Sequence, residues 1–202
     1  MRKVKIAVLV SGGGTNLQAL IDSQKNGVIK NGEIVLVVSN KETAFALERA
    51  KKAKVKTRIV TKTGKSREEF ESELIKVLRD DRIELVVLAG FMVILSERFT
   101  STFKDRIINV HPSLIPSFCG EGFYGLKVHE KALEYGVKVT GATVHFVNEI
   151  PDGGKIIMQK PVEVLEGDTP EILQERVMKQ AEWIILPLAT EKVCSDILKG
   201  EM

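Results

Sequence analysis

Cysteine is scarce in this chain. Only Cys119 and Cys194 occur in 202 residues, far apart and at no ligand spacing. They form no disulfide framework or metal-binding pattern and point to free thiols in a reducing compartment. Aromatic residues are also few, with one Trp and two Tyr, so stacking platforms for single-stranded nucleic acid are not evident. Charge of one sign is lacking: 30 Lys and Arg against 27 Asp and Glu leave a net +3, with the two signs interleaved. That is too weak and too dispersed for a nucleic-acid footprint. No apolar run approaches a membrane span. Met1 to Lys5 leads straight into a short strand with no signal cleavage site. The expectation is a cytoplasmic protein with neither nucleic acid nor membrane as partner. Hydrophobic residues make up 44% of the chain, enough for one sizeable core and one domain over 1–202.

Short apolar runs alternate with helical patterns. Val4 to Val10, Ile34 to Val38, Lys56 to Val60, Leu85 to Leu88 and Ile107 to Val110 read as strands. Helical spacing follows in Leu17 to Ile21, Thr43 to Lys54, Ser66 to Arg79 and near Glu97 to Phe103. Ser66 with Glu69 forms a capping-box pattern. Such alternation argues for an α/β protein with a doubly wound, mostly parallel sheet. The pattern changes after Pro116. Phe118 to Gly125 is glycine-rich, Lys127 to Tyr135 looks helical, and two strands, Thr140 to Val147 and Lys155 to Val164, meet through Pro151-Asp152-Gly153-Gly154. That turn chemistry implies an antiparallel C-terminal part. A helix from Thr169 or Pro170 to about Ile185 is expected to close the chain.

Four stretches could carry chemistry. Ser11-Gly12-Gly13-Gly14-Thr15-Asn16 joins the first strand to a helix N-terminus, where free N–H groups and the helix dipole favour an anion. Thr15 or Asn16 can cap that helix. The loop fits neither the dinucleotide fingerprint nor a P-loop, and a single phosphate suits it better than a pyrophosphate. In Ile107-Ile108-Asn109-Val110-His111-Pro112, alternation puts Asn109 and His111 on one face, and Pro112 ends the ladder. An amide and an imidazole then stand at a strand's carboxyl end, where open parallel sheets bind ligands. Asp152, in Asp-Gly-Gly, is either a plain turn residue or a carboxylate close to His111 that helps it keep its proton. Ala89 to Leu95 stays apolar past a strand end, as core packing or as a slot for a flat heteroaromatic ligand. His129 and His145 have no Cys or carboxylate partners at ligand spacing, so no metal is expected. Both read as structural histidines, His145 in support of the site.

Read in order, Ser-Gly-Gly-Gly-Thr-Asn-Leu-Gln, Ser39-Asn40-Lys41, Ala44-Phe45, Leu88 to Met92, Asn109 to Pro116, Thr143 to Val147 and Asp152-Gly153-Gly154 resemble the phosphoribosylglycinamide formyltransferases. These are folate-dependent enzymes of purine biosynthesis, and the likeness covers nearly the whole chain. The resemblance implies a Rossmann-like formyltransferase fold, with a phosphate-binding half (1–116) and a C-terminal half (117–202) completing the folate site. It implies formyl transfer from 10-formyltetrahydrofolate to the amine of glycinamide ribonucleotide. It gives Gly14, Thr15 and Asn16 to the substrate phosphate and Glu182 to the substrate amine. It makes His111 the general acid or base, Asn109 the donor to the formyl oxygen, and Asp152 the partner that raises the histidine's pKa. Met92, Val93, Ile94 and Leu95 would frame the pterin, and Arg67 would meet the folate tail.

The chain departs from the family pattern in three places. Val93 stands where many members carry Arg, the Ser117 to Leu126 loop is longer, and the register around Glu182 is shifted by one residue. The alternatives are a formyltetrahydrofolate deformylase, which usually carries an N-terminal regulatory domain that has no room before Val4, and a non-catalytic Rossmann-type nucleotide-binding module. The latter would leave Asn109, His111 and Asp152 unexplained. A monomer or a homodimer is equally compatible with the sequence.

Overall fold

The computed structural model describes residues 2–202. A seven-stranded sheet runs through the molecule: β1 (Val4–Val10), β2 (Gly32–Ser39), β3 (Lys56–Ile59), β4 (Leu85–Leu88), β5 (Ile107–His111), β6 (Val139–Phe146) and β7 (Ile156–Glu163). Their order is β3-β2-β1-β4-β5-β6-β7. β1 to β5 are parallel, whereas β6 runs antiparallel to β5 and β7 antiparallel to β6. The expected mixed sheet is therefore present. The strand order reverses between β1 and β4, so the loops leaving these two strands flank the crevice where such sheets take ligands.

Both faces of the sheet are covered, which explains why the parallel strands read as continuous apolar runs. Ile6, Val8 and Val10 of β1 pack with Leu17, Leu20, Val177, Ile185 and Leu186. Ala7 and Leu9 point the other way, to Phe70, Leu74, Leu78 and Phe99. The helices α1 (Thr15–Lys25) and α2 (Phe45–Lys52) thus lie on one side, and α3 (Arg67–Asp80) and α4 (Glu97–Thr102) on the other. α5 (Leu126–Tyr135) packs on α6 (Pro170–Val177). Ser66 caps α3 through the reciprocal capping box with Glu69.

The closing helix is longer than its sequence pattern implied. After α6 comes one π-helical turn, Met178–Glu182, and then α7 (Trp183–Lys199). Pro187 sits inside α7, close to its start. The only helical bond it forfeits is the one to Trp183, directly after the π turn, where the ladder is already re-phased. A π turn accommodates one residue more than an α-helical turn, and Glu182 is its last residue.

The turn between β6 and β7 depends on its glycines. Asp152 has φ +56°, and a Cβ on Gly154 would lie 1.7 Å from the Phe146 carbonyl oxygen. Replacing Gly154 by Ala is expected to cost roughly 3 kcal/mol through forced backbone movement. Gly12→Ala, whose Cβ would meet nothing within 4 Å, should change stability by less than about 0.5 kcal/mol. Urea unfolding of the two variants checks this contrast.

Candidate active site

β5 delivers the central pair. Ile108 and Val110 enter the core on one face, and Asn109 and His111 project from the other. The β5–β6 register sets Asn109 opposite His145 and His111 opposite Thr143. Direct cross-strand neighbours touch, and Asn109 Nδ2 lies 3.2 Å from His145 Nε2. His145 Nδ1 donates to the Phe146 carbonyl at 2.7 Å, which fixes the ring and aims Nε2 at the site. The tight β6–β7 turn then brings Asp152 into place. Its Oδ2 lies 3.4 Å from His111 Nδ1 and its Oδ1 3.4 Å from His145 Nε2. Gly120 N–H donates to Oδ2 at 2.9 Å. Asn109, His111 and Asp152, remote in sequence, are thus one cluster.

The loop after Pro116 folds over this cluster. His111 Nε2 donates to the Phe118 carbonyl at 2.8 Å. Only 4% of His111 is exposed. Burial is the largest influence on its pKa and lowers it; Asp152 and the Phe118 carbonyl push upward but do not outweigh burial. Asp152 thus pairs with His111 and pushes its pKa up, as expected, but dehydration of the ring is the larger influence and the net shift is downward. For Asp152 the balance is reversed. Burial pushes its carboxyl up, but His145, the charge of His111 and the Gly120 N–H together hold it below its usual value.

The glycine loop forms a second cluster. Gly14, at φ +72°, precedes the first helical residue, Thr15, and its Cβ would strike Ala46 at 2.6 Å. Only glycine fits that approach to α2. Ala46 N–H and Arg49 Nε–H donate to the Gly12 and Gly13 carbonyls at 3.0 and 2.8 Å. The carbonyls are thereby turned toward α2, and α1 has no side-chain cap, so its first-turn N–H groups remain open to an anion. The expected capping by Thr15 or Asn16 is corrected. Thr15 is inside the helix, and Asn16 donates from Nδ2 to Glu182 at 2.6 Å. Glu182, at the end of the π turn, is buried, and burial raises its pKa despite the Asn16 hydrogen bond. The shifted register therefore still brings Glu182 to this loop.

The third group lies across the switch point. Ser11 N–H donates to the Gly90 carbonyl at 3.1 Å, and Met92 N–H donates to Ser11 Oγ at 2.8 Å. Met92 and Ile94 are exposed, while Val93 and Leu95 are buried with Phe91 in the core. Val93 and Leu95 therefore offer a ligand their backbone, whereas Met92 and Ile94 also offer their side chains. Arg67 donates to the Ile94 carbonyl at 3.2 Å. Ser11, Glu71, Ser96 and Phe118 were not anticipated as contributors. Glu71 had a visible signal, since it shares the apolar stripe of Leu74, Ile75 and Leu78 on α3. Among the described residues, no group of three or more His, Cys, Asp or Glu is arranged to hold a metal ion. Nor, among them, is any helix long and apolar enough to cross a membrane.

This sheet, with a histidine, an amide and a carboxylate gathered at its carboxyl edge, has the architecture of a formyltransferase. The formyl transferase family model matches residues 4–190, and the chain belongs to that family. Among its relatives, the trifunctional purine biosynthetic protein adenosine-3 of Gallus gallus is 50% identical over 96% of this chain, but the chain spans only 19% of that protein. The phosphoribosylglycinamide formyltransferase of Escherichia coli is 44% identical over 92% of this chain and 84% of its own length. The crystal structure of glycinamide ribonucleotide transformylase 1 from Symbiobacterium toebii superposes with a TM-score of 0.89 at 41% identity, covering 96% of this chain and 88% of that one.

His129, on α5, is wholly buried, and its two ring nitrogens have no partner among the described residues. Burial, with a smaller contribution from His111, lowers its pKa from 6.5 to about 4. Above 6.5 the ring is neutral in both folded and unfolded chains. Below it, the unfolded chain takes up a proton that the folded one refuses. Stability should therefore fall by up to about 3 kcal/mol between pH 6.5 and 4. Thermal melts across that window should show a shallower decline for His129→Leu than for the wild type.

Proposed function

We propose that this chain transfers the formyl group of 10-formyltetrahydrofolate to the amine of glycinamide ribonucleotide. The observation that carries this reading is the convergence of Asn109, His111 and Asp152 beside an open anion-binding loop. The names of the E. coli relative and of the S. toebii neighbour support the same acceptor. The whole chain acts as one domain, 1–116 holding the phosphate and 117–202 completing the folate site. It works in the cytoplasm as a monomer or homodimer, in keeping with two free thiols.

In this reading the N–H groups of Gly14, Thr15 and Asn16 bind the monoester phosphate, and Glu182 receives the amine. Arg67 meets the folate tail, and the backbone of 92–95, with the Met92 and Ile94 side chains, lies against the pterin. The amine attacks the formyl carbon, and the carbonyl oxygen becomes an oxyanion that Asn109 stabilises from its amide. Collapse breaks the bond to N10 of the folate. The amine loses one proton and N10 gains one, with His111 carrying it between them.

A lowered pKa suits this order, because His111 begins neutral and accepts first. Its Nε2 is bonded to the Phe118 carbonyl, so the neutral ring bears its proton there. Once the 117–125 loop swings aside, the proton is better placed on Nδ1, facing Asp152 Oδ2, and Nε2 is free to act as base. The loop thus gates both access and tautomer.

His111→Ala and Asp152→Ala should each lose roughly a thousandfold in turnover while keeping native far-UV circular dichroism. Near-wild-type turnover by His111→Ala would sink the assignment. Formate release without the amine substrate would instead mark a hydrolase, and ribonucleotide binding without transfer a non-catalytic module. Asp152 pushes the His111 pKa up, so Asp152→Asn should move the acidic limb of kcat/KM to lower pH.

A further inference from the structure

Glu71 is a carboxylate in the wrong place for a surface helix. It lies in the second turn of α3 on the stripe that buries Phe70, Leu74, Ile75 and Leu78, and only 2% of it is exposed. An acid so buried must be matched by donors. Its Oε1 accepts from Ser96 N–H at 2.8 Å and from Arg67 Nε–H at 3.4 Å. Its Oε2 accepts from the Ser96 hydroxyl. That hydroxyl also caps α4, accepting from Phe99 N–H at 3.3 Å. Every donor on Glu71 therefore belongs to Ser96, which ends the 91–95 loop, or to Arg67, which bonds the Ile94 carbonyl in the middle of that loop.

The other end of the loop is held from the opposite side of the switch point, where Met92 N–H donates to Ser11 Oγ at 2.8 Å. The backbone of this stretch is thus fixed at 92, 94 and 96. Val93 and Leu95 plug into the core between these points, and Met92 and Ile94 face outward. Two of the three fixed points depend on the Glu71 carboxylate, directly at Ser96 and through Arg67 at Ile94.

We propose that Glu71 is a positioning residue for the folate side of the site: from beneath, its carboxylate sets the backbone of 92–96 and the direction of the Arg67 guanidinium, without touching the folate. This rests on the formyl-transfer reading. It predicts that Glu71 governs affinity for the one-carbon donor and leaves the ribonucleotide and the chemical step alone, because the glycine loop and the His111 cluster are held by other contacts.

The test is initial-rate kinetics on the full chain, varying each substrate in turn. Glu71→Leu keeps the bulk but removes every acceptor. It should raise KM for 10-formyltetrahydrofolate roughly tenfold, the loss expected for charge-assisted hydrogen bonds. Its kcat should stay within about twofold of wild type, and KM for the ribonucleotide should not move. Glu71→Gln, which still offers an oxygen to Ser96 N–H, should recover much of the donor affinity. A carboxylate that served stability alone would lower kcat with the folded fraction and leave both KM values unchanged. An unaltered donor KM, or equal rises in both, overturns the proposal. Should Glu71→Leu fail to fold, Ser96→Ala is read the same way, with a rise of roughly threefold in donor KM expected. A wild type that transfers no formyl group rejects the functional reading instead. Calorimetry with 5-formyltetrahydrofolate, which carries the pterin and tail, then judges Glu71 independently: weaker binding by the variants supports the clamp, and equal binding ends it.

Discussion

One carboxylate ties the site together. Asp152 is half-buried on a turn that only glycine permits behind it, and its two oxygens face histidines from two different strands while one of them also takes the Gly120 amide. A charge removed from water is tolerable only with such partners. Each partner comes from a separate segment: the end of β5, the end of β6 and the loop that follows Pro116. The acid therefore acts as a joint as much as a chemical group. Losing it would leave two rings and an amide without the atom that sets their spacing, and would release the loop from the sheet edge.

The topology explains why the other groups stand where they do. β1 and β4 are neighbours, and the chain leaves them toward opposite faces of the sheet, so the glycine loop and the 90–96 loop open on either side of one crevice. Ser11 spans the gap with both its amide and its hydroxyl. In the proposed function the loop that takes the phosphate and the loop that meets the flat ring are in this way held at a fixed separation by one small residue. Fixed separation is what a transfer reaction between two bound molecules needs, because misplacement of the reacting atoms is costly.

Much of this was legible in the chain and some was not, for reasons that can be named. β1 reads correctly because both faces of it are buried and its apolar run is unbroken but for Lys5. The Asp-Gly-Gly turn and the strand ending at His111 read correctly because glycine and proline mark backbone geometry locally. The closing helix was read too short, because the π turn within it leaves no local signal. The approach of Asn109 to His145 depends on strand register, and that of Asp152 to Gly120 on the path of a loop; neither leaves a trace in local spacing. Glu71 was legible, as a charge on a buried stripe. The net direction of the His111 shift was not, because a sequence shows a partner but not the water that folding removes.

That loss of water gives the site a consistent character. Burial lowers the pKa of His111 and raises that of Glu182, so each is pushed toward its uncharged form. Asp152 keeps its charge only because three neighbours hold it. In the proposed function, where His111 carries the proton and Glu182 receives the amine, an environment that discourages charge on both groups also discourages an ammonium ion. An amine attacks carbon only when unprotonated, so the dehydration that makes these groups costly to ionise favours the nucleophilic form of the acceptor. In the proposed function, the charges this site accommodates besides that of Asp152 lie at its edges: an anion at the α1 N-terminus and a guanidinium at Arg67. In that reading, binding by charge at the rim and a proton carrier kept neutral beside one held carboxylate are produced by the same packing.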